Sequence, residues 1–105
     1  MNPEAFENLL RVLENIPEDQ FDLADWECGT TACAIGWAAR DVWFQDQEFY
    51  LTGSIPKFRS LYGWEAVRAL FHISDNNAKY LFEKCSYEED QSLSAVISRI
   101  KEFIS

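Results

Sequence analysis

The N-terminal segment of the chain repeats its apolar residues at helical spacing. Asn2 is a favourable N-cap and Pro3 a favourable first helical residue. Because residues three and four apart share one face of a helix, the pattern predicts an amphipathic helix that ends before Pro17. Its predicted buried face consists of Phe6, Leu9, Leu10, Leu13 and Ile16.

The apolar pattern predicts two further helices between Trp64 and residue 84. The first covers Trp64 to His72, and Ser74 is placed to cap the second, over about residues 75–84. Such a pair resembles a DNA-binding helix-turn-helix in outline, but the second helix carries a single basic residue, Lys79. We therefore expect no direct contact with nucleic acid. The predicted inward residues are Val67, Leu70, Phe71, Ala78, Leu81 and Phe82.

The last apolar stripe predicts a C-terminal helix. Ser86 and Glu89 have the spacing of a capping box, in which a hydroxyl and a carboxylate bind the first free N–H groups of a helix. The sequence therefore predicts that this helix starts near Ser86. Its predicted inward residues are Leu93, Val96, Ile97, Ile100 and Ile104.

Small residues dominate the centre of the chain. Gly29 permits a sharp turn, and Thr30 or Thr31 can then cap an alanine-rich helix over about residues 31–43. Gly36 inside this helix costs roughly 1 kcal/mol relative to Ala, which predicts close packing at that point.

Residues 45–60 carry a strand-like pattern. Phe49-Tyr50-Leu51 is typical of a short strand and Thr52-Gly53-Ser54 of a turn. A small β-hairpin and a long loop both fit this segment. Pro56 is expected to confine any second strand to a sheet edge, because proline has no N–H to donate to a neighbouring strand.

Together these segments predict a mainly α fold, a compact bundle of four to five short helices with the hairpin or loop at residues 45–60. A chain of 105 residues has the size of one globular domain, which we assign to residues 1–105. No apolar run is long enough to cross a membrane, and the N-terminus lacks the features of a signal peptide, so we expect a cytoplasmic protein without membrane contact. The predicted core consists of Phe6, Leu10, Leu13, Ile35, Leu70, Phe82, Val96 and Ile100.

The net charge of −9 is unevenly distributed. Residues 1–27 contain eight acids and one base, whereas residues 28–63 contain equal numbers of each. A field of this sign opposes binding to nucleic-acid phosphates and favours a basic protein partner. An ordinary solvated surface accounts for the same acidity, so the charge alone does not decide between the two.

Cys28 and Cys33 are the candidates for reactive chemistry. Cys33 is predicted in the first turn of the central helix, where the helix dipole lowers a thiol pKa, but the neighbouring acids act against this effect. Burial as a small hydrophobic residue is the interpretation we favour. A zinc site would need His72 and Cys85 as well, at poor spacing. We therefore expect reduced thiols, no metal and no cofactor.

The residues around these cysteines also form a motif. Phe21-Asp22-Leu23, Trp26 and the stretch Cys28-Gly29-Thr30-Thr31-Ala32-Cys33-Ala34-Ile35-Gly36-Trp37 resemble a family of small uncharacterised bacterial and bacteriophage proteins. The shared pattern is a Trp, then Cys-Gly-Thr-x-Ala-Cys-x-x-Gly. The resemblance covers about residues 21–104, more loosely in its second half. It implies a shared fold and a bacterial or phage context, and it implies no catalytic residues.

These observations predict a small acidic, non-enzymatic protein–protein interaction module of bacterial or phage origin. Its sharper form is a nucleic-acid mimic that inhibits a host protein by occupying a basic groove. The alternative is a small thiol-dependent enzyme that uses Cys28 and Cys33. The residues predicted to bind the partner are Glu7, Glu14, Glu18, Asp19, Trp43, Tyr50 and Trp64, and the wider aromatic set adds Phe49 and Phe58.

Overall fold

The computed structural model describes residues 1–22, 33–87 and 90–105. Within these ranges the chain forms six α-helices, two one-turn 3₁₀ helices and one three-stranded antiparallel sheet. The α-helices are α1 (Pro3–Leu13), α2 (Ala34–Ala39), α3 (Val42–Asp46), α4 (Trp64–Phe71), α5 (Asp75–Phe82) and α6 (Leu93–Ile104). The strands are β1 (Phe49–Thr52), β2 (Ile55–Phe58) and β3 (Leu61–Tyr62), and the 3₁₀ helices are Glu18–Gln20 and Lys84–Ser86.

The apolar faces of the helices enclose one core that contains most of the predicted core residues. Phe71 lies at its centre, with its ring centroid 4.8 Å from that of Phe6 and 5.6 Å from that of Phe82. Leu10 is half-buried, and the other predicted core residues are buried. The prediction of a mainly helical fold is confirmed, but the molecule is not purely a helix bundle, because the sheet packs beside α4.

Asn2 fixes the start of α1 in two ways. Its side-chain oxygen accepts a hydrogen bond from the N–H of Ala5 at 3.2 Å, as predicted for an N-cap. Its side-chain amide and its backbone N–H donate to the carbonyls of Leu70 and Phe71, each at 2.9 Å. One residue therefore caps α1 and joins it to the end of α4. The helix ends at Leu13, before Pro17, as predicted.

The single central helix predicted over residues 31–43 is wrong, because α2 ends at Ala39 and α3 begins at Val42. Asp41 causes the break. Its backbone is extended, and its carboxylate accepts a hydrogen bond from the N–H of Trp43 at 3.0 Å, so it acts as the N-cap of a new helix. The predicted caps Thr30 and Thr31 lie outside the described residues.

The hairpin alternative for residues 45–60 is correct, and β3 extends it into a three-stranded sheet of order β1-β2-β3. Gly53, with φ +64°, forms the turn between β1 and β2 together with Ser54.

The expectation that Pro56 lies on an edge strand is wrong, because β2 is the central strand. Pro56 accepts a hydrogen bond from the N–H of Gly63 at 2.9 Å but has no N–H to return. The carbonyl of Gly63 instead accepts from the N–H of Val67 at 3.2 Å, in the first turn of α4. The chain thus leaves the sheet for a helix at the point where the proline cannot donate.

Helices α4 and α5 match the predicted segments. Ser74 caps α5 as predicted, by accepting a hydrogen bond from the N–H of Asn77 at 3.1 Å. The predicted inward residues of both helices are buried: Val67, Leu70, Phe71, Ala78, Leu81 and Phe82.

Helix α6 begins later than predicted. Its N-cap is Ser92, which accepts from the N–H of Ala95 at 3.2 Å. Ser86 lies instead in a 3₁₀ turn six residues before Ser92, and its hydroxyl donates to the carbonyl of Tyr80 at 2.7 Å. Glu89, the predicted capping partner, lies outside the described residues. Leu93, Val96 and Ile100 are buried, and Ile97 and Ile104 are half-buried.

Candidate protein-interaction surface

The solvent-facing side of the sheet brings together large side chains from all three strands. Tyr50 on β1 pairs with Lys57 on β2, which pairs in turn with Tyr62 on β3. Side chains of directly paired residues lie on the same face of a sheet, so these three form a row across it. Ile55 lies on the same face, two residues before Lys57 on β2. We call these four residues the outer sheet face.

Three of the four side chains expose a large fraction of their surface. The exposed fraction is 39% for Tyr50, 46% for Ile55 and 53% for Tyr62. The Nζ of Lys57 lies 5.5 Å from the ring centroid of Tyr50 and 5.8 Å from that of Tyr62. It also lies 3.4 Å from the hydroxyl of Tyr50. The outer sheet face therefore offers apolar area, two phenolic hydroxyls and one positive charge.

The predicted aromatic surface is divided between the two faces of the sheet and the core. Phe49 is fully buried, so its assignment to the interaction surface is wrong. The alternation of side chains along β1 turns it inward, whereas the adjacent Tyr50 points outward. Trp43, Phe58 and Trp64 are half-buried and pack against the core. Tyr50 is thus the most accessible of the predicted aromatic residues.

The four predicted acidic residues are all exposed. Glu7 lies on α1, and Glu14 is the C-cap residue two helical turns later, so both lie on one side of the helix. Glu18 and Asp19 belong to the 3₁₀ helix that follows. A carboxylate oxygen of Glu14 lies 3.6 Å from the Nζ of Lys101 on α6. The charge of Glu14 is therefore partly compensated within the molecule.

An ion pair beside these acids joins α1 to the junction of α2 and α3. The two terminal nitrogens of Arg11 donate to the two carboxylate oxygens of Asp41, at 3.0 and 2.8 Å. The hydrogen bond from Arg11 lowers the pKa of Asp41, which keeps the carboxylate ionised in its role as an N-cap.

Cys33 is the N-cap residue of α2 and is only 3% exposed. Burial raises the pKa of its thiol to about 11, and the backbone amides of Gly36 and Ile35 act in the opposite direction. A thiol with this pKa is protonated at neutral pH and is a poor nucleophile. The interpretation of Cys33 as a buried residue is confirmed. Cys28, the other candidate, lies outside the described residues.

The remaining members of the hypothetical zinc site are on the surface. His72 follows the last residue of α4, has a left-handed backbone conformation with φ 53°, and is exposed. Cys85 is exposed on the 3₁₀ helix that follows α5, whereas Cys33 is buried. Over residues 1–22, 33–87 and 90–105, no three His, Cys, Asp or Glu side chains are placed to hold a metal ion.

Sequence reasoning missed three residues of the outer sheet face, namely Ile55, Lys57 and Tyr62. A signal for two of them was present, because a two-residue turn at Gly53-Ser54 places Lys57 opposite Tyr50 and Ile55 on the same face. We did not use this signal, because Pro56 was expected to confine any second strand to a sheet edge. Tyr62 follows from the third strand, for which Leu61-Tyr62 alone is too short to give a pattern.

Comparison with protein-family models, with curated proteins and with solved structures finds no match for this chain. The resemblance of residues 21–104 to the bacterial and bacteriophage family remains a prediction from the motif. Among the helices that the structure describes, none has the length and apolar character needed to cross a membrane.

Proposed function

We propose that this chain is a non-enzymatic protein-binding module of bacterial or phage origin, and that the outer sheet face contacts its partner. The observation that carries the proposal is the exposure of Tyr50, Ile55 and Tyr62 beside one another on a single face. Clustered exposed apolar side chains are typical of interaction sites. Tyrosine suits such a site, because its ring buries apolar area while its hydroxyl can still form a hydrogen bond.

The acidic N-terminal region adds an electrostatic component to this proposal. Glu7, Glu14, Glu18 and Asp19 are exposed, and complementary charge raises association rates more than it prolongs a complex. We infer a partner that carries a basic surface beside an apolar contact. In the sharper form of the proposal, the partner is a nucleic-acid-binding protein whose basic groove this chain occupies.

The alternative of a thiol-dependent enzyme has less support. An activated cysteine needs an accessible sulfur and a base or a positive charge beside it. Cys33 is buried, and its pKa is raised by that burial. The protein-binding proposal uses features that are exposed, so we favour it.

Affinity capture from an extract of the native host tests the proposal. The bait proteins are the wild type, the double variant Tyr50→Ala/Tyr62→Ala, and Val42→Ala as a control that truncates an apolar side chain with 69% exposure on α3. Loss of two interface tyrosines should lower the affinity for a specific partner by at least about tenfold. The control should bind as the wild type does. Equal binding by the double variant and the wild type would exclude the outer sheet face as the contact.

Charge reversal tests the electrostatic component with the same partner. Glu7→Lys/Glu18→Lys should slow association and flatten its salt dependence, because both residues are exposed. Glu14 is left unchanged because it pairs with Lys101. The control Glu65→Lys/Glu102→Lys changes the net charge equally, at exposed sites on α4 and α6. If both variants associate at one rate, the acidic region only confers solubility, and the nucleic-acid mimic is wrong.

A further inference from the structure

Lys57 lies at the centre of the outer sheet face, between two tyrosines on the neighbouring strands. β2 is the middle strand of the sheet, and Lys57 is paired with Tyr50 on one side and with Tyr62 on the other. Its Nζ lies 5.5 and 5.8 Å from the centroids of the two rings. A partner that covers both tyrosines therefore also covers the ammonium group of Lys57.

No carboxylate compensates the charge of Lys57 within the described parts of the chain. This is unusual for the molecule, because its acids outnumber its bases by 18 to 9. Both residues opposite Lys57 in the sheet are tyrosines. Several other basic residues form an ion pair with an Asp or a Glu, namely Arg11, Arg59, Lys79 and Lys101.

Covering this ammonium group carries a free-energy cost that the two tyrosines do not offset. A lysine has three N–H donors, and the contact of Lys57 with the hydroxyl of Tyr50, at 3.4 Å, is longer than a typical hydrogen bond. Both ring contacts lie near the outer limit of a favourable cation–π distance, about 6 Å. Because a charge removed from water must gain hydrogen bonds, the covering surface needs an acceptor opposite Lys57.

We propose that Lys57 determines the specificity of the outer sheet face by donating a hydrogen bond to a backbone carbonyl oxygen of the partner. A purely apolar surface of the same shape is rejected, because it would bury the ammonium group without an acceptor. A carbonyl is favoured over a carboxylate, because the net charge of −9 attracts a basic partner and repels acidic groups. This inference rests on the proposed function and adds the group that the partner presents between the two tyrosines.

Two substitutions of similar size separate the hydrogen bond from the apolar contact. Lys57→Met keeps an unbranched apolar stem but has no donor, whereas Lys57→Gln has a neutral N–H donor. The probe is the protein captured by the wild-type bait, which is purified and titrated against each variant. Lys57→Met should lower the affinity at least about tenfold, because it leaves the carbonyl of the partner buried without a donor. Lys57→Gln should stay within about fivefold of the wild type, because a carbonyl also accepts from a neutral donor.

Lys84 supplies the matched controls. It is exposed on the 3₁₀ helix that follows α5 and does not belong to the sheet. Lys84→Met and Lys84→Gln make the same changes of net charge as the two variants of Lys57. The two Lys84 variants should bind the captured protein with equal affinity, because neither changes the outer sheet face.

Acetylation of lysines in the wild type supplies a measurement that does not depend on a variant. The amine of Lys57 should react with an acetylating reagent in the free protein and become protected in the complex. The amine of Lys84 should react at the same rate in both states, because it is exposed elsewhere on the molecule. Mass spectrometry of proteolytic fragments measures both rates.

Three results would overturn this inference. They are binding by Lys57→Met as tight as that of the wild type, binding by Lys57→Gln as weak as that of Lys57→Met, and unchanged acetylation of Lys57 in the complex. The first would show that the ammonium group needs no acceptor, and the second that the partner presents a carboxylate. If Tyr50→Ala/Tyr62→Ala lowers the affinity and Lys57→Met does not, the sheet-face contact stands and the role of Lys57 fails. If the double tyrosine variant binds as the wild type does, the proposed function itself fails.

Discussion

Two clusters in this molecule share one composition, a basic residue between two tyrosines, and differ in what surrounds it. In the first, Arg99 of α6 lies 4.2 Å from the ring centroid of Tyr80 and 3.7 Å from that of Tyr87. In the second, Lys57 lies 5.5 and 5.8 Å from the rings of Tyr50 and Tyr62. The first cluster closes on itself, and the second opens to solvent.

The Arg99 cluster joins three consecutive parts of the C-terminal half. The Nη1 of Arg99 donates to the carbonyls of Tyr80 and Ser86 at 2.8 and 2.9 Å, and so connects α6 to α5 and to the 3₁₀ helix. Tyr87 is only 3% exposed, and its hydroxyl donates to the carbonyl of Leu81 at 2.6 Å. A planar guanidinium can stack on rings and donate at its edge at the same time. This cluster therefore stabilises the fold.

The Lys57 cluster forms fewer hydrogen bonds and is less buried. The ammonium group is 3.4 Å from the hydroxyl of Tyr50, and both tyrosine rings remain substantially exposed. An ammonium group is compact and strongly hydrated, so it holds its neighbours more loosely than a guanidinium does. A cation between aromatic rings therefore marks an interaction site only where hydrogen bonds to the backbone and burial do not already explain its position.

The largest predicted effect separates the two clusters by stability. Arg99→Ala should lower the free energy of unfolding by about 2 kcal/mol, because it removes a stacked cation, leaves the carbonyl of Ser86 without this donor and leaves that of Tyr80 with only the hydroxyl of Ser86. Lys57→Ala should change that free energy by no more than about 0.5 kcal/mol, as is usual for a surface substitution. Urea denaturation of both variants measures the difference. Similar losses in the two variants would contradict the distinction between the clusters.

A smaller effect concerns the pH dependence of stability. Burial raises the pKa of Tyr87 to about 12, and the charge of Arg99 opposes the rise. In the unfolded chain tyrosine ionises near pH 10, so above about pH 10 the unfolded state loses this proton before the folded state does. Stability from Tyr87 is therefore complete below about pH 10 and is lost as the pH rises toward 12.

Tyr87→Phe should show a shallower decline of unfolding free energy with pH than the wild type, because phenylalanine has no proton to lose. Tyr62→Phe, in the open cluster, is the matched control. The slopes are measured by urea denaturation at several pH values between about 9 and 11. An unchanged slope for Tyr87→Phe would show that this hydroxyl ionises in the folded protein as easily as in the unfolded chain.

The helical part of the fold was largely predictable from the sequence, because local signals and burial agree there. Asn2 and Ser74 cap the helices that their positions predict, and the apolar stripes of α1, α4 and α5 face the core. The predictions failed where a contact between residues far apart in the sequence determines where a helix ends. The carboxylate of Asp41 is held by Arg11, thirty residues earlier in the chain, and no local pattern indicates that it ends one helix and caps another.

The candidate site was predictable only in part, for the same reason. Tyr50 was recognised as a surface residue, but its neighbours Lys57 and Tyr62 lie on other strands. The pairing of β2 with β3 includes a hydrogen bond from the N–H of Gly63 to the carbonyl of Pro56, which no local pattern predicts. Ser86 shows the converse error. Its spacing is typical of a helix cap, yet its hydroxyl donates to Tyr80 and it accepts a hydrogen bond from Arg99 at 3.1 Å.

Hydrogen exchange of the captured complex is the most direct test of the claim that the open cluster binds and the closed cluster stabilises. The free protein and its complex with the captured partner are compared by deuterium uptake along the chain. We expect new protection concentrated in residues 49–62, with residues 80–87 and 90–99 unchanged because their contacts are already made within the fold. Protection concentrated in residues 80–99, with none in residues 49–62, would contradict it.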